Sequence, residues 1–544
     1  MDLFSIKLKS FSSNLRKETL HKLNRWTAFS FIVGIVIFLP IAIVIGSVTN
    51  FAANWQHITD TVLITYSLNS IILVFGTAFF ACIFGVSSAW MVTAYKFPGD
   101  HILKWVLVLP LAVPTYIAAY AYFDILDLFN PFLIFVRSKL GFEAMQVTNN
   151  LLVYLFTALI LGSVLYPYVY LLSRASFSSQ GSRFINVARS LGHSGSSIFW
   201  RIVLPLSRPA IVAGISLVIM ETLSDYGAVK HFGVQTFTYG IFRTWLGMGD
   251  LTSALRLAVI LMIFILTVLY IEKKIRAQAR YGDVSASPVF KKIHLRGKKS
   301  IIVVVTCTLP VLFGFAIPVT RMISWAWISK GYVSEIDIFE LTLNTLMVAT
   351  IASISTVFLS IILGFSSKYF KSRSLNFSNR LASTGYSTPG AVVAMGALIL
   401  VGYVSNTFGI LLSGTMSLLF FAYTVRFFAV AYQPIESGFE KNCEELNNAS
   451  KTLGSSPMRS LFSVNLPLIK NIIVAAGLLV FIDATKELPL TLILRPFNFE
   501  TLATATFDLS NQAQIIESSI PSLFIIFLTI IPIVYLNRRI GEGR

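Results

Sequence analysis

The chain has 544 residues, of which 55% are hydrophobic and 12% charged, with a mean hydropathy of +0.74. Soluble domains carry about a quarter charged residues, so this composition excludes a soluble globular protein and points to an integral membrane protein. The formal net charge of +18 would suggest a nucleic-acid partner in a soluble chain, but in a membrane chain the location of the cations matters more than their total.

Apolar runs long enough to cross a hydrocarbon core of about 30 Å recur twelve times, near 28–48, 67–95, 102–126, 151–173, 209–228, 254–272, 301–328, 341–367, 381–404, 409–433, 472–492 and 520–537. The expected fold is an all-α membrane protein of about 12 transmembrane helices. The basic start, Lys7 to Arg25, precedes an apolar run too long for a signal-peptide core, so it reads as an uncleaved first span. If the chain starts inside, all but ten of the 43 Lys and Arg fall in cytoplasmic segments or at their edges, the exceptions being Arg137, Lys139, Lys230, Arg243, Arg256, Arg321, Lys330, Arg426, Lys486 and Arg495. Both termini are then cytoplasmic, and the segment from Asp127 to Asn150 lies outside.

Cys82, Cys307 and Cys443 lie far apart and offer neither a disulfide framework nor metal-ligand spacing, with Cys443 in a cytoplasmic loop. Between Glu272 and Ser300 there are nine Lys or Arg against two acids, with a Gly282-Asp283 turn. This reads as a cytoplasmic linker, anchored beside anionic headgroups rather than to nucleic acid.

The two flanking segments look like a tandem duplication in one membrane orientation. Ser67-Leu68-Asn69-Ser70 recurs as Thr342-Leu343-Asn344-Thr345, and Pro114 matches Pro389. Six spans in each repeat return the chain to the cytoplasm, so the repeats are parallel. The division is a first repeat 1–271 with a polar island at 174–208, a linker 272–300, and a second repeat 301–544 with an island at 435–470.

Each island carries one pattern, 262 positions apart. Asn186-Val187-Ala188-Arg189-Ser190-Leu191-Gly192 leads to Leu204-Pro205, and Asn448-Ala449-Ser450-Lys451-Thr452-Leu453-Gly454 leads at the same interval to Leu466-Pro467. Glycine can stop a helix in the left-handed conformation. The stretches from Ser194 to Val203 and from Ser455 to Val464 start with serines that can cap a short second helix, and Leu-Pro is expected to break that helix before the chain re-enters the membrane.

These islands resemble the EAA loop of importer-type ABC transporter permeases. The resemblance implies the importer-type ABC permease fold and two copies of an ABC ATPase subunit docked from the cytoplasm on Asn186, Ala188, Arg189, Gly192, His193, Ser194, Leu204 and Pro205, and on Asn448, Ala449, Lys451, Gly454, Ser455, Leu466 and Pro467. Arg189, His193, Arg201, Lys451 and Arg459 are the expected polar contacts. The chain departs from the signature where its leading Glu is Asn186 or Asn448, which removes a charge-assisted contact. No Gly-x-x-x-x-Gly-Lys-Ser/Thr loop occurs, so the chain is not expected to be an enzyme or to bind a cofactor. ATP-Mg is expected on the partner ATPase.

Ionisable groups in spans are costly and usually face a bundle interior or a wet cavity. Glu221 and Asp225 are four apart, as are Asp483 and Glu487 at matching places, so each pair is expected on one helical face. These hard oxygen ligands suit a hard cation. The same residues also read as structural pairs with Lys486 and Arg426. No metal site is assigned to His101 or His231, and Tyr116, Tyr120 and Tyr122 read as packing.

Glu221 to Gly227, Phe237 to Asp250, Lys486-Glu487-Leu488-Pro489, Leu494 to Asn498 and Thr501 to Thr504 resemble the fused permease subunit of bacterial ferric-iron ABC importers. That implies a multi-pass protein of the bacterial inner membrane, with a periplasmic iron-binding protein on its outer side. Fused permeases for thiamine and phosphonate compounds share the architecture, so thiamine or another small solute stays open as cargo. An ion-coupled secondary transporter is the reading from another class, and a membrane-embedded enzyme lacks any paired nucleophile and base in the polar loops.

Overall fold

The computed structural model describes residues 25–49, 51–190, 192, 195–277, 292–331, 337–370, 373–442 and 444–542. Leu191, His193, Ser194, the Gly282-Asp283 turn and Cys443 lie outside the described residues. The fold is the all-α membrane architecture expected. Among the described residues, eleven helices are long and apolar enough to cross a membrane, and a bent pair makes up to twelve. In hydrocarbon an α-helix satisfies its own backbone, which is why apolar runs of this length take no other form.

The third span departs from expectation. It is not one helix over 102–126 but a pair, Asp100–Ala112 and Thr115–Ala121, bent by 92°. Pro114 causes the break: it lacks an N–H, and it pushes Val113 out of the helical region to φ −92, ψ 115. The ninth span behaves alike. Thr388 is extended (φ −101, ψ 124), Pro389 sits at the N-cap, and the apolar helix begins only at Gly390 and ends at Phe408. Pro114 and Pro389 have nearly the same backbone angles, φ −58, ψ 146 and φ −53, ψ 144.

The fourth helix, Asn130–Ser190, has one non-helical residue, Gly141 at φ 90. Beyond Gly141 the membrane crossing and the start of the first polar island are therefore one rod.

Two compact units form, and they do not follow the order of the repeats. In the late unit, helix Arg25–Gly46 clusters with residues 339–504. It packs against Gly390–Phe408 and Arg373–Ala382, with the Pro40 carbonyl set against Gly396 where no side chain would fit. Ser30 Oγ donates to Ser366 Oγ at 2.8 Å, and Ser378 Oγ donates to the Phe31 carbonyl at 3.2 Å.

In the early unit, residues 51–338 cluster with 505–542. Helices Lys298–Val311 and Ile317–Ile328 are joined by a π turn, and its Gly314 lies against the Ser163 carbonyl. Tyr122 Oη donates to the Phe313 carbonyl at 2.6 Å, and Thr529 Oγ1 donates to the Ala112 carbonyl at 2.9 Å. Small residues at both crossings let backbones approach, the usual basis of helix association in lipid. The first span of each repeat thus packs in the unit that holds most of the other repeat.

The described end of the linker is ordered. Ile293–His294 pairs in parallel with Tyr95–Lys96, and Lys292 Nζ lies 3.0 Å from Asp100 Oδ2.

Adding one methyl at either crossing tests this packing. Gly314→Ala and Gly396→Ala meet backbone carbonyls that cannot yield, so each is expected to destabilise by about 1–3 kcal/mol, read as a lower unfolding midpoint in detergent. Gly402→Ala, in a helix and with nothing within 4 Å of the added methyl, does not lower the midpoint.

Candidate coupling arms and membrane carboxylates

Each polar island folds as a helix, a glycine turn and a short second helix. In the late unit Glu444–Thr452 ends with Gly454 at φ +73. Gly454 N–H bonds to the Lys451 carbonyl at 3.0 Å and Ser455 N–H to the Ser450 carbonyl at 3.1 Å, the two bonds of a Schellman stop. Ser456 caps the second helix Pro457–Ser460, its Oγ accepting from the Arg459 N–H at 3.3 Å. In the early unit Gly192 is at φ +81 and the short helix is Gly195–Ile198.

The expected break at Leu-Pro does not occur. A π turn, Phe199–Val203 or Leu461–Asn465, leads straight into Leu204–Ser224 or Leu466–Thr485. Pro205 and Pro467 sit at the first positions of those helices, where a missing N–H costs little, and the wider π turn takes up the change in register. Asn465, fully buried, donates its amide to the Ser460 carbonyl at 2.9 Å, a side-chain bond that spans the turn. Each arm is therefore continuous with the span that follows it.

An apolar socket seats each arm. Phe199 lies 5.1 Å, centroid to centroid, from Trp90, which in turn lies 6.0 Å from Phe177. In the late unit Leu461 shares a buried cluster with Phe365, Tyr369 and Phe439. Ala188 and Ser450, the third position of each copy, are buried, which accounts for small residues there. Asn448, Ala449 and Lys451 are exposed, whereas Leu204, Pro205, Ser455 and Leu466 are half-buried and Pro467 exposed. Asn186 and Arg189 lie in the described helix.

Lys451 has an internal role. Its Nζ donates to the Tyr369 carbonyl at 2.7 Å and stands 4.1 Å over the Tyr369 ring, a cation at the carbonyl end of helix Ile338–Phe370. The arms expose large apolar side chains, Trp200 at 63%, and Leu453, Met458 and Phe462 at 84%, 52% and 60%, beside the exposed Arg201 and Arg459. Trp200 and Phe462 occupy matching positions. Aromatic residues at equal spacing inside polar islands are the sequence signal for this face.

The four carboxylates do not form two helical faces, because each helix ends inside the pair. Leu204–Ser224 stops before Asp225, which is extended at φ −68, ψ 129. Its Oδ1 accepts N–H bonds from Ala228 at 2.9 Å and Val229 at 3.3 Å, and Thr115 Oγ1 donates to its Oδ2. Asp225 is thus buried and closes the break behind Pro114. Leu466–Thr485 likewise stops before Glu487, whose Oε1 accepts from Leu490 N–H at 3.2 Å and packs on Gly390, just after Pro389. Arg426, buried nearby, donates to the Thr388 carbonyl. Asp483 Oδ1 is 3.2 Å from Lys486 Nζ, and Glu221 is half-buried in the last turn of its helix.

Tyr116, Tyr120 and Tyr122 are buried, and the His231 ring packs 4.9 Å from Tyr120. Asp250 bonds Asn54 and Ser253. Burial pushes its carboxyl up, but these N–H and hydroxyl donors outweigh burial and hold it below the ordinary aspartate range.

The family described as the binding-protein-dependent transport system inner membrane component matches residues 81–275 and again 356–540. The chain belongs to that family. It is the permease component of an ABC importer, a multi-pass inner-membrane protein built as two fused halves. It is 24% identical over 479 residues to the Fe(3+)-transport system permease protein FbpB 2 of Haemophilus influenzae, covering 86% of this chain and 89% of that one. The sulfate transport system permease protein CysT of Escherichia coli is 26% identical over 199 residues, 36% of this chain and 69% of the relative. A probable molybdenum ABC transporter permease protein of Haloferax volcanii is 23% identical over 243 residues, 44% of this chain and 86% of the relative.

Removing the plug from a socket separates anchoring from docking. Phe199→Ala or Leu461→Ala is expected to cost about 2–4 kcal/mol of packing and to lower the midpoint of unfolding. Trp200→Ala and Phe462→Ala, on exposed groups, are expected to shift stability by about 0.5 kcal/mol at most.

Proposed function

We propose that this permease moves Fe3+, handed to it by a periplasmic binding protein and driven by two ATPase subunits docked on the arms around Trp200 and around Leu453, Met458 and Phe462. The observation that carries the cargo is coverage. The Fe(3+) relative aligns with both halves nearly end to end, whereas the sulfate and molybdenum relatives align over less than half of this chain. Both termini are placed in the cytoplasm by the positive-inside bias. ATP-Mg belongs to the ATPase partners, and no nucleic acid takes part.

Within this reading the carboxylates divide by task. Asp225 and Glu487 brace the broken spans, since each spends oxygen lone pairs on backbone N–H groups. Glu221 in one half and Asp483 in the other are the groups proposed to meet the cation, as hard oxygen ligands, with Lys486 offsetting the charge of Asp483. A second reading, transport of an oxyanion, is favoured by the sulfate and molybdenum relatives.

Uptake of radioactive iron into vesicles holding the whole transporter, with thiamine, sulfate and molybdate as competitors, separates these. Iron uptake that needs ATP and survives collapse of ion gradients is expected; competition by an oxyanion or thiamine, or dependence on an ion gradient, contradicts the proposal. Glu221→Gln combined with Asp483→Asn is expected to lower iron uptake about tenfold or more, the worth of losing charge-assisted contacts, while assembly is kept. Asp225→Asn and Glu487→Gln should instead act on stability.

A further inference from the structure

The repeated Ser67-Leu68-Asn69-Ser70 and Thr342-Leu343-Asn344-Thr345 do the same work in the two units. Asn69 Nδ2 donates to the Gln235 carbonyl at 3.1 Å, and Asn344 Nδ2 donates to the Glu500 carbonyl at 3.0 Å. One residue on, Ser70 Oγ accepts the Phe237 N–H at 3.0 Å, and Thr345 Oγ1 accepts the Leu502 N–H at 2.9 Å. Ser70 and Thr345 are both buried, whereas Leu68 and Leu343, just before the asparagines, are exposed. The Tyr66 ring adds to the early clamp by packing on Gly240, where a Cβ would lie 2.5 Å from Cε2.

What is held is in each unit the segment beyond the end of the fifth or eleventh span, at the helix starts of Phe237–Phe242 and Leu502–Asn511. What holds it is the far end of a helix whose other end carries the arm socket. Trp90 lies twenty-one residues beyond Asn69, and Phe365 twenty-one beyond Asn344. That is about 32 Å along an α-helix. Leu63–Ala94 and Ile338–Phe370 are each a single helix over that length.

We propose that Asn69 with Ser70, and Asn344 with Thr345, are positioning residues that make each far-end segment move with the helix bearing the arm socket, rather than with the span it follows in sequence. Each of these helices is then the rod that carries motion of an arm to the opposite membrane face. This rests on the importer reading above, and its test is independent of the cargo.

Asn69→Asp and Asn344→Asp keep the shape of the side chain but remove the donor that the carbonyl needs, at position 69 the amide that also bonds Tyr154. Ser70→Thr and Thr345→Ser keep the hydroxyl acceptor. The assembled transporter in liposomes, with Cys82, Cys307 and Cys443 replaced by Ala, carries one reporter, Gln235→Cys or Glu500→Cys. Labelling by a membrane-impermeant maleimide is read with and without ATP, beside ATP hydrolysis.

Asn69→Asp is expected to raise labelling at 235 about three- to tenfold, the worth of one buried hydrogen bond, and to erase its dependence on ATP while hydrolysis continues. Asn344→Asp does so at 500, and the Ser/Thr exchanges behave as the parent. Unchanged, ATP-dependent labelling in the Asp variants overturns the proposal, and so does equal damage from Ser70→Thr. Should an Asp variant fail to assemble, Ser70→Ala against Ser70→Thr decides at the same clamp: loss with Ala and retention with Thr support it, and like behaviour of the two overturns it. A transporter that carries another solute still shows these effects, so failure of the iron reading is seen separately.

Discussion

A backbone group freed from a helix inside a bilayer has no water to turn to, and the architecture is organised by how that demand is met. The third and ninth spans are broken by Pro114 and Pro389, and the fifth and eleventh end just where those breaks lie. Asp225 answers with one carboxylate that takes two N–H groups and a threonine hydroxyl. On the other side Glu487 takes the Leu490 N–H while Arg426 serves the Thr388 carbonyl. Charged residues at these places are thereby explained without a ligand: removing either leaves buried N–H groups unpaired, and the kinked spans depend on them.

Much of this organisation was legible in the chain. The length of the apolar runs gave the spans, and the doubled islands gave the two arms with their glycine stops. Their resemblance placed the chain in a transport family that the matches over 81–275 and 356–540 show. The Ser/Thr-Leu-Asn-Ser/Thr repeat was visible too, but only the structure shows that it is a clamp. Its outward Leu and inward Asn and Ser or Thr follow from three successive positions on one helix.

Other features were hidden for physical reasons. Hydropathy records that a helix is buried in lipid and not which neighbour it meets, so the exchange of first spans between units had no signature beyond Gly314 and Gly396. The four-residue spacing of the carboxylates assumed helices that run on, and they stop at Ser224 and Thr485. Signals for those stops were present: an Asp before Tyr-Gly-Ala, and Pro489 at the start of the next helix, are both helix-start chemistry. The Leu-Pro pairs misled in the opposite direction, because a proline in the first turn of a helix begins it as readily as it breaks one.

Arms fused to the spans that follow them, sockets that seat them and clamps at the far end make each unit a lever rather than a set of loosely joined helices. The direct test is a pair of distances between spin labels in the assembled transporter, with and without ATP. One runs within the early unit, from Arg201 on its arm to Gln235 at its clamp; the other runs between Arg201 and Arg459 on the two arms. A lever predicts that ATP leaves the first distance constant while the second changes. If the first distance changes with ATP while the second stays fixed, the arms flex without moving the far ends and the account is contradicted.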